Sequence, residues 1–199
     1  MTNETLATIK MRRSVRTFQA KKVSEHNIKQ ILQAANWAPS AHNQQSWRFI
    51  VLQDEKKQAL ANLVTNKAND FERPTSALLR MAARSITSAP VVIAVANTGD
   101  LIKHGMDLFK VKKEMGLDFF RTMEIQSSAA AVENLLLAAT SLELATVWLG
   151  ILYLIKDEVL KFLGEPNGEF MAVIPVGYAD KTGKGPKKRN LDVAARYLS

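Results

Sequence analysis

Apolar residues recur along this chain at two different intervals, and the interval changes several times. Spacings of three and four residues, which put side chains on one face of a helix, occur in four segments of the first half. They predict helices over residues 5–10, from an N-cap at Ser24 to a point before Pro39, over residues 55–67 and over residues 77–87. No internal repeat interrupts the pattern, so the sequence predicts one continuous fold.

Short apolar runs between these helices predict the strands of a sheet. Residues 47–52 form one candidate, and the unbroken run from Val91 to Ala96 is typical of a strand covered on both faces. Residues 146–151 predict a strand or the end of one, and residues 171–178 predict the last strand. Pro175 lies inside that last segment and has no N–H to donate, so we expect it to face a sheet edge or a bulge.

The longest predicted helix covers residues 118–143 and would measure about 39 Å. It is apolar nearly all round, so we expect it to be buried between layers or between subunits. Residues 101–117 join it to the preceding strand and are a candidate substrate lid. A last helix over residues 156–163 is ended by Gly164 and Pro166. The polar loop 179–186 then leads into a tail, residues 187–199.

Composition narrows the chemistry that the chain can perform. Its 199 residues, 47% of them hydrophobic, are enough for one domain with a substantial core. The absence of cysteine excludes disulfides, thiolate catalysis and cysteine-based metal sites, so redox chemistry would need an organic cofactor or another metal. The three histidines have no metal-ligand spacing, and we predict no metal site. No secretory signal opens the sequence and polar residues interrupt its apolar stretches, so we expect a cytoplasmic protein without a membrane span.

The formal net charge of +8 raises the question of nucleic-acid binding. Much of the excess lies in residues 12–22 and 181–196, and neither segment interleaves aromatic residues with its charges as base-stacking surfaces do. Two basic segments that converge on one small anion would use the charge equally well. We therefore expect no nucleic-acid partner, with a nucleic-acid-binding protein as an alternative.

The first basic segment carries three guanidinium groups and a hydroxyl within five residues, Arg12-Arg13-Ser14-Val15-Arg16. A phosphate monoester has close to two negative charges and three acceptor oxygens, so several donors must converge on it. Lys187 and Arg189 can reach the same anion from the other end of the chain. A solvated basic surface is the alternative interpretation of such a segment.

A second motif follows the second predicted helix, with the sequence Ala38-Pro39-Ser40-Ala41-His42-Asn43-Gln44-Gln45-Ser46-Trp47. Its amides and hydroxyls suit the edge of a polar heterocycle. Together the two motifs resemble those of the FMN-dependent nitroreductase family, whose members begin with Arg-x-Ser-x-Arg/Lys and continue with Pro-Ser-x-x-Asn-x-Gln-Pro-Trp. This chain departs from the family pattern at Ser46, where the family usually has proline. The resemblance extends over nearly the whole chain.

The resemblance implies an α+β nitroreductase-like fold, with a central, mainly antiparallel sheet flanked by helices and two copies forming an intertwined homodimer. Residues 1–199 would form a single FMN-binding domain, in which the tail 187–199 contacts the partner subunit. The implied FMN-binding residues are Arg12, Arg13, Ser14, Arg16, Pro39, Ser40, Ala41, Asn43, Gln45, Trp148, Leu149, Gly150, Lys187 and Arg189.

The resemblance also implies a role for each group of these residues. Arg12, Arg13 and Ser14 would hold the phosphate and ribityl chain, and Arg16 would be an electrostatic stabiliser at the pyrimidine edge of the isoalloxazine. A third group would approach the flavin that is bound mainly by the partner, namely Pro39, Ser40, Ala41, Asn43 and Gln45. Residues 148–150 would pass a peptide N–H near flavin N5, although Trp148 and Leu149 could instead be core residues of a strand. Lys187 and Arg189 would contact the phosphate, and Lys188 could replace Lys187 if the register shifts.

The activity implied by the resemblance is FMN-dependent oxidation of NADH or NADPH. Hydride would pass to flavin N5 and then, in a ping-pong sequence, to a nitroaromatic, a quinone or a similar small-molecule acceptor. No general acid or base is identified, because the cofactor carries the chemistry. Alternatives are an azoline dehydrogenase, a dehalogenase or a flavin-fragmenting enzyme of the same fold, or a non-catalytic FMN-binding protein.

Overall fold

A four-stranded antiparallel sheet lies at the centre of the fold. In chain order its strands are β1 (Trp47–Gln53), β2 (Val91–Asn97), β3 (Ala145–Thr146) and β4 (Glu169–Gly177), and their order in the sheet is β1-β2-β4-β3. A computed structural model describes residues 3–108, 112–181, 183 and 185–198 of the chain. Parts of the predicted lid (109–111) and loop (182 and 184), and Ser199 of the tail, therefore lie outside the described residues.

The helices cover both faces of this sheet. Within the described residues they are α1 (Glu4–Met11), α2 (Glu25–Asn36), α3 (Asp54–Lys67), α4 (Thr75–Ser88), α5 (Asp100–Leu108), α6 (Lys113–Ser141), α7 (Lys156–Leu163) and α8 (Leu191–Ala194). The predicted caps are confirmed: the Ser24 side chain accepts from the Asn27 N–H at the start of α2, and Gly164 ends α7 in the left-handed conformation. None of these helices is long and apolar enough to cross a membrane.

Every residue of β2 is buried, as its unbroken apolar run predicts. Alternate residues of a strand face opposite sides of a sheet, so β2 contributes to two separate cores. Val92 and Ala94 belong to the core formed with α3, α4 and α7, whereas Val91 and Ile93 belong to the core formed with α2 and α6. Burial of a Val or Ile side chain stabilises the fold by about 1.5–3 kcal/mol, so β2, an interior strand of the sheet, contributes to the stability of both cores.

Of the two alternatives for residues 146–151, the end of a strand is confirmed, because β3 ends at Thr146 and residues 150–155 form a 3₁₀ turn. The next pair would be Val147 with Pro175. The Val147 N–H donates to Pro175 O at 3.4 Å, but proline has no N–H to return the second bond. Pro175 does not lie at an edge of the sheet as expected, because β4 is an interior strand. It does not lie at a bulge either, because the register shift of the sheet lies between Val95 and Ala96.

The long helix also differs from its prediction. α6 begins at Lys113 and ends at Ser141, so residues 113–117 of the candidate lid belong to it, and most of the rest of the candidate lid lies in α5, which packs on α6. It is not apolar all round, because Glu124, Ser127 and Ser128 are polar and buried on its inner face. These three residues lie under the segment that carries the second motif, and their contacts are described below.

Candidate functional site

The first motif is attached to the end of the sheet by backbone pairing. Ser14 forms a parallel bridge with Thr146, and the Val15 N–H donates to Thr146 O at 2.9 Å. Further along, Phe18 is buried and pairs with Ala179, directly after β4. The chain is thus fixed at Ser14 and again at Phe18. This places the charged side chains of the first motif beside the loop that follows β4.

A cleft of about 450 Å³ lies between the motif and that loop. Arg12, Arg13, Ser14 and Arg16 line it from one side. From the other side come five residues of the segment after β4, namely Lys181, Gly183, Gly185, Pro186 and Lys188. Five of the described lining residues are cationic and none of them is acidic. The two basic segments of the sequence therefore do converge on one small volume, as their charge predicts.

Arg13 is held in this cleft by contacts within its own chain. Its Nη1 donates to the carbonyl oxygens of Lys10 at 2.6 Å and Arg12 at 2.7 Å, where α1 ends. Gly185 packs directly against the same side chain: a Cβ at this position would lie 2.1 Å from Arg13 Nε. The absence of a side chain at residue 185 is thus a condition for the observed position of Arg13.

A second, smaller cavity of about 230 Å³ adjoins the cleft, since Arg12 and Ser14 line both. Trp148 lines it as well, so the structure brings this predicted site residue to the first motif. Glu133 faces Arg12 there, with Oε1 3.7 Å from Nε. Both side chains are partly exposed, and such a pair contributes little to stability, about 0–1 kcal/mol. Arg12 therefore stays available to a stronger anion.

Leu149 and Gly150 differ in what their backbones can offer. Leu149 is buried and its N–H donates to Val173 O at 2.9 Å, so that peptide group is already used within the fold. Gly150 is exposed and is the first residue of the 3₁₀ turn, where N–H groups have no partner within the helix. A Cβ at Gly150 would meet only Trp148 Nε1, at 4.0 Å. The Gly150 backbone is therefore the accessible part of this segment.

The second motif folds into a tight turn on α6. The Ala41 N–H donates to Ser127 Oγ, the Gln45 N–H to Ser40 Oγ and the Gln45 side chain to Asn43 Oδ1, at 3.0–3.1 Å. His42, Asn43 and Gln45 all have φ near +50°, which L residues adopt at a cost of roughly 1–3 kcal/mol each. Such backbone strain is typical of functional sites, where the surrounding structure holds residues in conformations that are otherwise unfavourable.

The structure does not bring this turn together with the first motif within one chain. Pro39, Ser40, Ala41, Asn43 and Gln45 line neither the cleft nor the smaller cavity. Lys187 and Arg189 are exposed and do not line the cleft either, whereas Lys188 does. Sequence reasoning missed Lys181, although it belongs to the basic segment 181–196, and missed Glu133 opposite Arg12.

Comparison with known proteins identifies the family. The model of the nitroreductase family matches residues 9–178, most of the chain. The chain belongs to the nitroreductase family. The residues that match the nitroreductase family include the first motif, the turn and the 148–150 segment, but not the tail with Lys187 and Arg189.

Individual members of the nitroreductase family are similar over most or all of their length. A protein of Archaeoglobus fulgidus, provisionally named NADH dehydrogenase/NAD(P)H nitroreductase, is 31% identical over 180 residues, which cover 88% of this chain and 85% of that protein. The crystal structure of a nitroreductase with bound FMN from Desulfitobacterium hafniense superimposes with a TM-score of 0.73 at 25% identity and covers all of both chains. A nitroreductase-like protein from Bacillus cereus has the same fold, with a TM-score of 0.76 at 22% identity, covering all of this chain and 97% of the other.

Proposed function

We propose that this protein is an FMN-dependent NAD(P)H oxidoreductase. The observation that carries the proposal is the convergence of Arg12, Arg13, Ser14 and Arg16 with Lys181 and Lys188 on one cleft. The D. hafniense nitroreductase, of the same family and fold, is described with bound FMN. When bound, FMN supplies a two-electron carrier that takes hydride from a nicotinamide and passes electrons to an acceptor.

The donor set of the cleft fits the phosphate of FMN. A phosphate monoester carries about −1.5 to −2 charges and three strong acceptor oxygens, and cationic groups with a hydroxyl satisfy both. Arg12, Arg13 and Ser14 would hold the phosphate from the first motif, and Lys181 and Lys188 from the loop after β4. In this proposal Lys188 takes the place for which the sequence suggests Lys187, and Arg189 acts only if the tail rearranges.

Arg16 and the Gly150 backbone would serve the isoalloxazine. Reduction places negative charge at the pyrimidine edge of a flavin, and a cation there stabilises that charge by ~1–4 kcal/mol, depending on the local dielectric. Because the Leu149 N–H is used by Val173 O, the Gly150 N–H is the peptide donor that we propose near the reacting atom. In this proposal Arg16 stabilises the negative charge of the reduced ring, and residues 148–150 position the ring.

The turn 39–45 would complete the site of a second copy. It lies on α6 outside the cleft, and its remaining donors, the Ser40 hydroxyl and the Asn43 amide, are not used as donors by the hydrogen bonds of the described residues. Apolar side chains of α1 and of the tail, such as Leu6, Met11 and Leu191, are more than half exposed and would be covered in a dimer. Light scattering at micromolar concentration should give twice the chain mass. A monomer that retains FMN would contradict this arrangement.

The visible spectrum of the purified protein tests the proposed activity. We expect bound flavin that is released as FMN, not FAD, on denaturation, and anaerobic NADH or NADPH should bleach it. A nitroaromatic or quinone should then restore the oxidised spectrum. Protein that cannot be loaded with FMN would refute the proposal, and FMN that is bound but not bleached by either nicotinamide would indicate a non-catalytic FMN-binding protein.

A further inference from the structure

A stripe of buried polar residues runs along the inner face of α6. Its members are Glu124, Ser127 and Ser128. The two serines follow Glu124 by three and four residues, so each lies on the same side of the helix as Glu124. Ser127 Oγ accepts from the Ala41 N–H at 3.1 Å and donates to Met123 O at 2.7 Å. The stripe thus contacts the turn 39–45 directly, at its middle.

Glu124 connects the same stripe to the start of α5. Its Oε1 accepts from the Leu101 N–H at 2.8 Å, and the residue is 1% exposed. Burial raises the pKa of the Glu124 carboxyl; the Leu101 N–H, the Ser46 hydroxyl and the Ile102 N–H oppose this, and the charge of Asp100 adds to it. A carboxyl so placed is costly to bury, and an apolar side chain would pack there without that cost.

The other carboxylate oxygen of Glu124, Oε2, has no hydrogen-bond partner among the described residues. Among the described residues, the buried side-chain atoms without a hydrogen bond are Ser46 Oγ, Asn97 Nδ2 and Glu124 Oε2. Ser128 Oγ donates to Asn97 Oδ1, the Thr98 N–H donates to Ser46 O at 2.8 Å, and Trp47 pairs with Asn97. These contacts connect Asn97 to Ser128 on α6 and place Ser46 beside the end of β2.

The chemistry of these atoms is complementary. An amide N–H donates, a hydroxyl both donates and accepts, and a carboxyl oxygen accepts or, when protonated, donates. The Ser46 hydroxyl is near enough to lower the pKa of Glu124, yet the two groups do not form a hydrogen bond in this structure. A small movement of Ser46, the residue after the turn 39–45, would give both groups a partner.

We propose that Glu124 is a positioning residue for the flavin site: its Oε1 holds α5, and its Oε2 binds the Ser46 hydroxyl of the apoprotein in solution, which fixes the segment that carries the turn 39–45. The inference rests on the proposed function, because only that function gives the turn a ligand. Ser46 is also the residue at which this chain departs from the proline of the family pattern. The hydroxyl at position 46 thus gains a role that a proline could not have.

Two substitutions at Glu124 separate positioning from bulk stability. Glu124→Gln keeps an acceptor for Leu101 and a donor for Ser46, whereas Glu124→Leu removes both. Val132→Ala is the matched control, because Val132 is fully buried on the same helix and packs in the core with α2. The readouts are amide hydrogen exchange of the apoprotein at Leu101, Ala41 and Gln45, and the dissociation constant for FMN.

We expect Glu124→Leu to lose at least about tenfold of the exchange protection at these three amides and to weaken FMN binding about tenfold. Glu124→Gln should keep both near the parent values, and Val132→Ala should lower the melting temperature without a selective loss at the three amides. Equal behaviour of Glu124→Leu and Val132→Ala at these amides would overturn the proposal.

If Glu124→Leu does not fold, Ser46→Ala carries the same test. It should deprotect Ala41 and Gln45 but not Leu101, and weaken FMN binding; unchanged protection at all three amides and unchanged FMN affinity would overturn the proposal. Failure of the parent protein to bind FMN would instead refute the proposed function. The exchange data on the apoprotein would still report whether Glu124 holds α5 and the turn.

Discussion

Gly185 offers a way to disturb the basic cleft beside the first motif without changing the charge of the cleft. A Cβ at residue 185 would lie 2.1 Å from Arg13 Nε and 2.7 Å from its Cδ, far inside the ordinary contact distance that begins at 3.4 Å. In Gly185→Ala the Arg13 side chain must therefore retreat by more than about 1 Å, and such shifts are large on the scale of binding geometry. Its hydrogen bonds to Lys10 O and Arg12 O would be strained in the same movement.

The size of the effect follows from what Arg13 gives to a phosphate. A unit charge about 4 Å from another contributes ~1 kcal/mol in water, so a group with nearly two charges gains ~1.5–2 kcal/mol from this exposed guanidinium. Arg13→Ala should therefore weaken FMN binding about 10- to 30-fold. Gly185→Ala displaces this side chain but keeps its charge, so we expect only part of that loss, about five- to tenfold or ~1–1.4 kcal/mol.

Fluorescence titration of FMN measures these differences, with Gly183→Ala as the control. Gly183 lines the same cleft, but a Cβ there meets nothing within 4 Å, so its substitution should change the dissociation constant by less than about twofold. The double variant Arg13→Ala/Gly185→Ala should bind no more weakly than Arg13→Ala, since both act through one side chain. Additive losses, or a Gly185→Ala variant that binds like the parent, would refute the reasoning.

Three other predictions follow from the same structure. Arg16→Ala should lower the two-electron midpoint potential of the bound flavin, by about 30 mV if ~1.4 kcal/mol is lost, whereas Arg12→Ala should mainly weaken FMN retention. Spectroelectrochemistry of both variants measures the potentials. An unchanged potential in Arg16→Ala would show that Arg16 lacks the proposed role. Lys188→Ala should weaken FMN binding more than Lys187→Ala, because Lys188 lines the cleft and Lys187 does not; the reverse order would favour the assignment made from sequence. The raised pKa of Glu124 means that the folded state holds the proton of this carboxyl more tightly than the unfolded state does. The stability that comes from this protonation is therefore present below the unfolded pKa near 4.5 and is lost as the pH rises through the folded pKa. Glu124→Gln cannot ionise, so urea unfolding of the apoproteins should show that its stability relative to the parent increases over that pH range; a constant difference would contradict the pKa shift.

Much of the fold is predictable because period and capping are local properties. The unbroken apolar run of β2, the N-cap at Ser24 and the left-handed Gly164 depend on neighbours in sequence, and the structure confirms all three. The early end of β3 is different. It depends on Pro175, which meets Val147 only after the chain has passed through α7, and no local pattern encodes that encounter.

The candidate site divides in the same way. The motif at residues 12–16 and the turn at 39–45 can be found from residue types and order, whereas the choice of Lys188 over Lys187 depends on side-chain direction in an irregular segment, which has no period. The polar stripe of α6 escaped prediction because residues 118–128 mix polar and apolar side chains, and the sequence alone does not show which of the polar ones are buried. Their importance appears only when the turn and α5 pack onto that face.

The claim on which the whole account depends is that the basic cleft binds the phosphate of FMN. A parallel titration of the apoprotein with FMN and with riboflavin, which lacks only the phosphate, tests it directly. We predict that FMN binds at one per chain and at least about 100-fold more tightly than riboflavin, equivalent to ~2.7 kcal/mol, and that the difference shrinks as salt screens the cleft. Equal affinities for the two flavins, or no binding of FMN, would contradict the account.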